Sequence, residues 1–156
     1  MINADQRQII VDVTREIILQ KAPGELPLFR STVTTYINHP ERLLSEKQGK
    51  DDLLGFGAGE VVMFLTPYVL MIMTEVVKFV AGEVQKSLAT ESAELISVIL
   101  KKLFQRVQPE KNDLLPLTSA QLAQVRKVAY ENAHRLKLPD DQANLLADAI
   151  TGTLLS

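Results

Sequence analysis

Apolar residues recur every three or four positions along much of this chain, which is the spacing of an α-helix buried on one side. Near the start the stripe consists of Ile10, Val13 and Ile17, and it predicts a helix over residues 4–20. Asn3 stands where its side chain can cap the first backbone N–H groups of that helix. The same spacing predicts further helices over residues 91–107, 119–136 and 141–151.

Capping and breaking residues set the ends of these later helices. Thr90 precedes the first of them as a cap. Thr118 and Gln121 have the spacing of a capping box, in which each side chain accepts a hydrogen bond from the other residue's backbone. Pro139 interrupts the chain between the last two helices. Residues 115–156 are therefore expected to form a helical hairpin within the domain.

Residues 25–50 are less regular. Phe29–Ile37 is rich in β-branched and aromatic residues, a composition typical of strands, but no similar segment offers it a strand to pair with. We therefore expect a short helix capped by Ser31, or an ordered loop. Pro40 suits the first turn of another short helix, which would run through Leu44.

The most apolar part of the chain is residues 61–80, where fifteen of the twenty residues are apolar. A membrane-spanning helix needs about 20 predominantly apolar residues. Pro67, Glu75 and Lys78 interrupt this segment, and a charge deep in lipid is costly. The pattern favours the central helix of a bundle, wrapped by the other helices, with Pro67 either kinking it or beginning a new helix.

We therefore predict an all-α fold, an irregular bundle of about five to seven helices around a central apolar helix within residues 60–88. The chain has 156 residues, close to the commonest size for one domain, and 46 % of them are apolar. That is enough to bury a core without metal ions or disulfides. Residues 1–156 are expected to form a single helical domain.

Composition and charge remove several functional classes. The chain has no cysteine, which excludes disulfides, thiolate metal sites and a cysteine nucleophile. Its net charge of −2 gives no general attraction to nucleic acid, so we predict no nucleic-acid partner. The start of the chain lacks the basic and apolar regions of a signal peptide, and we expect a cytoplasmic location.

Few residues have the spacing of a catalytic or ligand-binding motif. The run Gly55–Gly59 resembles loops that cradle phosphate, but no strand precedes it and no lysine follows it as in a P-loop. His39 and His134 are the only histidines, and neither has partners at metal-ligand spacing. The acidic pairs at 51–52 and 140–141 stand at predicted helix starts, where carboxylates stabilise the helix dipole. We predict no metal, no cofactor and no small-molecule ligand.

Three functional hypotheses remain. The first is a non-enzymatic interaction or assembly module that binds itself or another protein. The second is a protein that inserts conditionally into membranes through residues 60–107, which end in the basic cluster Lys101, Lys102 and Arg106. The third is an enzyme whose site the sequence does not reveal. The residues expected to face a partner or a membrane are apolar and belong to the two central helices: Val61, Phe64, Tyr68, Ile72, Val76, Phe79, Val80, Ile96, Ile99, Leu100, Leu103 and Phe104.

Overall fold

A computed structural model of the chain describes residues 2–44, 64–89, 92–104 and 117–154. In these four ranges the backbone forms six α-helices and two 3-10 turns, with no strand. The α-helices are α1 (Ala4–Lys21), α2 (Leu26–Asn38), α3 (Leu65–Leu88), α4 (Ala93–Phe104), α5 (Ser119–Arg135) and α6 (Asp140–Thr151). The 3-10 turns are Pro23–Glu25 and Pro40–Arg42. The predicted all-α bundle is confirmed.

The centre of the bundle is α3, which packs against α1, α2, α4 and α5. Its outward side carries the exposed Lys78, whose Nζ lies 3.6 Å from a carboxylate oxygen of Glu75. Pro67 lies in the first turn of the helix, where a residue without a backbone N–H is tolerated. The prediction of a central apolar helix is confirmed. Its wholly covered side chains are Val69, Leu70, Ile72, Met73, Val76, Val77 and Val80.

The last two helices, α5 and α6, pack against each other as a hairpin. Thr118 and Gln121 form the predicted capping box, with N···O distances of 3.0 and 2.9 Å. Small side chains on the buried sides let the two backbones approach closely. The buried alanines are Ala129 and Ala133 on α5, and Ala143 and Ala147 on α6.

The segment of strand-like composition, Phe29–Ile37, is helical and lies within α2. The helix begins at Leu26, with a proline in its first turn, so Ser31 is an interior residue. The Ser31 hydroxyl donates to the Leu28 carbonyl at 2.9 Å. The prediction of a short helix is therefore confirmed, and the prediction that Ser31 caps it is wrong.

Three other predicted helix starts can be compared with the structure. Asn3 caps α1, and its side-chain oxygen accepts the Gln6 N–H at 2.8 Å. The predicted cap Thr90 lies outside the described residues, but the Ser92 hydroxyl accepts the Leu95 N–H at 3.3 Å, which is N-cap geometry for α4. The helix predicted at Pro40 is a single 3-10 turn.

A buried hydroxyl interrupts the apolar core of α1. Thr14 is fully buried, and its hydroxyl has no hydrogen-bond partner among the residues that the structure describes. Its neighbours on the same helix, including Val13 and Ile17, bury only hydrocarbon. A buried polar group without a partner costs about 1–3 kcal/mol of desolvation. Thr14 therefore lowers the stability of the fold.

We expect Thr14→Val to raise the free energy of unfolding by about 1 kcal/mol, because it removes the unpartnered hydroxyl and keeps the shape of the side chain. The matched control is Val13→Thr, which places a hydroxyl at the adjacent buried position and should lower the free energy of unfolding by at least about 1 kcal/mol. Urea denaturation followed by circular dichroism measures both. A Thr14→Val protein less stable than the parent would contradict this account of Thr14.

Candidate functional site

The residues predicted to face a partner or a membrane fall into two groups. Phe64, Tyr68, Phe79 and Ile99 are half-buried, and Val61 lies outside the described residues. The others are buried inside the chain: Ile72, Val76, Val80, Ile96, Leu100, Leu103 and Phe104. Since this second group lines the core, it can meet a partner or lipid only if helices separate. The interface itself stays a prediction.

A second apolar stripe lies on α4, on the side opposite its core residues. Leu95 and Val98 are 44 % and 49 % exposed, and their spacing of three makes them neighbours on one face. Half-buried Ile99 lies between these two residues and the core stripe, and it packs against the core. Half-buried Lys102, four positions after Val98, ends the stripe on this face. We call Leu95, Val98 and Ile99 the outer face of α4.

Ile99 was among the residues predicted to face a partner or a membrane, but Leu95 and Val98 were not. The apolar stripe predicted for this helix was the one that forms the core. The signal was present, because positions 95, 98 and 99 repeat at the same spacing as the core stripe. A helix with two apolar stripes on opposite sides indicates an interface as well as a core.

Basic side chains stand at the end of the same helix. Lys101 Nζ lies 3.4 Å from a carboxylate oxygen of Asp5 on α1, and both side chains are about half exposed. An exposed pair of this kind contributes about 0–1 kcal/mol. Lys102 is half-buried in the next position, and Arg106, the third residue of the predicted basic cluster, lies outside the described residues. The pair joins α1 to α4 weakly.

The carboxylate of Glu25 makes the most extensive buried polar contact among the described residues. Glu25 is buried, and its two oxygens accept the backbone N–H groups of Leu65 and Thr66, both at 2.9 Å. The Thr66 hydroxyl also donates to it, at 2.7 Å. A negative charge at the beginning of α3 interacts favourably with the helix dipole. We call this arrangement the Glu25 clamp.

Polar residues of the hairpin are paired with each other. Arg126 of α5 donates to Asp148 at 2.8 Å and to Asn144 at 3.0 Å, both on α6. The Tyr130 hydroxyl donates to Asp140 at 3.0 Å, and this hydrogen bond raises the pKa of Tyr130 above 10.0. All of these contacts are at the surface, and they join the helices of the hairpin.

The residues considered for metal or phosphate binding are spread over the structure. His39 Nδ1 lies 3.5 Å from a carboxylate oxygen of Glu41, and both side chains are exposed. His134 is exposed on α5, with its ring 6.2 Å from that of Tyr130. The run Gly55–Gly59 and the acidic pair at 51–52 lie outside the described residues. In the part of the chain that the structure covers, no three His, Asp or Glu side chains are grouped to hold a metal ion.

One described helix, α3, is long and apolar enough to cross a membrane, and half of its most apolar stretch is buried in the bundle. The core helix of a soluble protein meets the same criterion. No protein-family model matches the chain, and neither does a curated protein or a solved structure.

We expect Glu25→Gln to lower the free energy of unfolding by about 1–3 kcal/mol. An amide accepts through one oxygen only, so one backbone N–H at the start of α3 stays buried without an acceptor. Thr66→Val removes a single hydrogen bond of the clamp and should cost about 1 kcal/mol. Exposed Glu41, which follows Pro40 in the other 3-10 turn, provides the matched control Glu41→Gln. Urea denaturation that gives equal stabilities for Glu25→Gln and Glu41→Gln would disprove the structural role of the clamp.

Proposed function

We propose that this chain is a non-enzymatic helical interaction module that assembles with a second copy of itself through the outer face of α4. The observation that carries the proposal is that α4 has two apolar stripes. One stripe is buried within the chain, where α4 packs against α1 and α3. The other contains the two most exposed apolar side chains of the helix, Leu95 and Val98.

In the described part of the chain, the other large exposed apolar residues are distributed differently. Leu19 on α1, Leu88 on α3 and Leu145 on α6 are one to a helix. Leu28 and Ile37 of α2 are nine positions apart, which places them on opposite sides of that helix. Single exposed apolar residues are ordinary on a soluble protein. The adjacent side chains on α4 are what favours an interface there.

The outer face would form the centre of such an interface. Contacts between proteins typically bury about 800 Å² on each partner, and a few apolar side chains near the middle contribute most of the binding free energy. The core of the present chain is already covered by its own helices, so association need not rearrange it. A second copy presents the same face, which suits a two-fold contact between two α4 helices.

Light scattering over a range of protein concentrations tests this assembly. We expect the mass to rise above the 17.4 kDa of one chain, and we expect Val98→Glu to raise the dissociation constant by about 30-fold or more. The reason is that association would bury the new carboxylate. Leu145→Glu, at an exposed apolar residue of α6, is the matched control and should assemble like the parent. A mass of one chain at every concentration would reject self-association.

A second candidate is conditional membrane insertion by the region 60–107. Two observations favour it: α3 is long and apolar enough to cross a membrane, and α4 has an apolar outer face that ends beside Lys101 and Lys102. Lysines near an apolar helix face are attracted to anionic lipid headgroups. Under this proposal the bundle would dock through α4 before α3 left its neighbours.

Two measurements test the membrane candidate: binding of the protein to anionic vesicles, and release of a dye trapped inside them. We expect Val98→Glu to lower vesicle binding by about 50-fold, because a carboxylate is costly in lipid, with Leu145→Glu again as the control. Leu100, one of the residues predicted to face a partner or a membrane, is fully buried, so a glutamate there would disrupt the fold itself. Wild-type protein that releases no dye at any lipid ratio would reject this candidate and leave self-association untouched.

A further inference from the structure

Two corners of the same shape bracket residues 23–38. Ala22 ends α1 with φ −148° and ψ 60°, and His39 ends α2 with φ −143° and ψ 64°. Each is followed by a proline that begins a 3-10 turn, and a proline disfavours the helical conformation in the residue before it. The chain therefore breaks at a fixed residue on both sides. We call the segment between the corners, residues 23–38, the strap.

Besides half-buried Leu26, which packs against the core, three side chains of the strap serve as anchors. Glu25 supplies the clamp on the start of α3. Phe29 is the one buried side chain of α2. Tyr36 is half-buried, and its hydroxyl lies 2.5 Å from the hydroxyl of Thr74 on α3. Phe29 and Tyr36 are seven positions apart in α2, which places them on one side of that helix, and Glu25 immediately precedes the helix.

The other hydrogen bond of Thr74 identifies the donor in its contact with Tyr36. The Thr74 hydroxyl donates its hydrogen to the Leu70 carbonyl at 2.8 Å, so the phenol of Tyr36 is the donor in their contact. Burial is the main cause that raises the pKa of Tyr36 above 10.0. The phenol therefore remains protonated at neutral pH and keeps its role as donor.

Between the anchors the strap is a weak helix. Thr32, Val33, Thr34 and Thr35 are β-branched, which lowers helix propensity. The three threonine hydroxyls donate to backbone carbonyls four residues earlier, at 2.8 to 3.1 Å, a contact that slightly destabilises helices. A helix of this composition depends on its tertiary contacts, and its contacts with the other described helices are few.

We infer that the strap opens as a unit, turning at Ala22 and His39, while the rest of the bundle stays folded. Regions with few buried contacts open at a lower free energy than the core. Opening carries Glu25 away from Leu65 and Thr66, and it uncovers the surfaces of α1 and α3 against which α2 packs. A single opening of the strap thus exposes that surface and also removes the cap on the first turn of α3. This inference is independent of both functions proposed above.

Native-state hydrogen exchange, followed residue by residue by NMR at low urea concentrations, tests the inference. We expect the hydrogen-bonded amides of α2 to exchange through one shared opening, faster than those of residues 69–80 in the middle of α3. The amides of Leu65 and Thr66 give the sharpest signature. They belong to α3 but are bonded to Glu25, so they should exchange together with α2.

Substitutions at the anchors should change the rate of this opening. We expect Phe29→Ala to accelerate exchange about 100-fold or more in α2 and at Leu65 and Thr66, without accelerating exchange in α5 and α6. Tyr36→Phe keeps the ring and removes the hydroxyl, and it should accelerate the same amides about fivefold. The matched control is Leu28→Ala, at a partly exposed position beside Phe29, with an expected change below about threefold.

Three results would overturn the inference. If the amides of α2 exchange at the rate and with the urea dependence of residues 69–80, the strap belongs to one cooperative unit with the core. If α2 opens but Leu65 and Thr66 follow the rest of α3, Glu25 does not move with the strap. If neither Phe29→Ala nor Tyr36→Phe accelerates exchange beyond Leu28→Ala, the anchors do not hold the strap. Should Phe29→Ala fail to fold, Tyr36→Phe decides the last point.

Discussion

An apolar helix can be buried at its first turn only if the backbone N–H groups there find acceptors, since the helix itself supplies none. In this fold the acceptor for α3 comes from forty residues earlier in the chain, where the Glu25 carboxylate receives the N–H groups of Leu65 and Thr66. The turn that follows α1 thus fixes the start of the central helix. Its position matters to the whole bundle because α1, α2, α4 and α5 all pack on α3. One buried carboxylate, held by three donors, thereby joins the turn after α1 to the first turn of α3.

The two apolar faces of α4 lie in different surroundings. Its inner residues, such as Leu100 and Leu103, are buried in the bundle, whereas Leu95 and Val98 are left open to solvent. The strap lies on a different part of the surface, against α1 and α3. Because neither face of α4 depends on the strap, the proposed association through α4 and the proposed opening of the strap would be separate events. Both would involve a neighbour of α1, since α1 packs against α2 and α4.

Features coded by neighbouring residues were predictable from the sequence, and features that join distant residues were not. Asn3 and the pair Thr118–Gln121 were identified as caps because a capping side chain and the backbone N–H that it binds are only three residues apart. The all-α fold followed from the spacing of apolar residues, and a strand at Phe29–Ile37 was set aside because it had no partner. The role of Glu25 could not be derived, because nothing local links a glutamate to a helix that begins forty residues later. The outer face of α4 could have been derived, since its period is present in the sequence.

The bundle is held together unevenly, and the difference lies in what each element buries. In the hairpin, alanines such as Ala129 and Ala143 let α5 and α6 approach closely, and Arg126 joins their outer edges. By contrast, Phe29 is the one buried residue of α2. Removing α2 from α3 would leave α1, α4 and α5 packed on the central helix, so most of its apolar surface would stay covered. A fold arranged in this way can release one segment without losing its core, because the burial that stabilises α3 is supplied mainly by the other three helices.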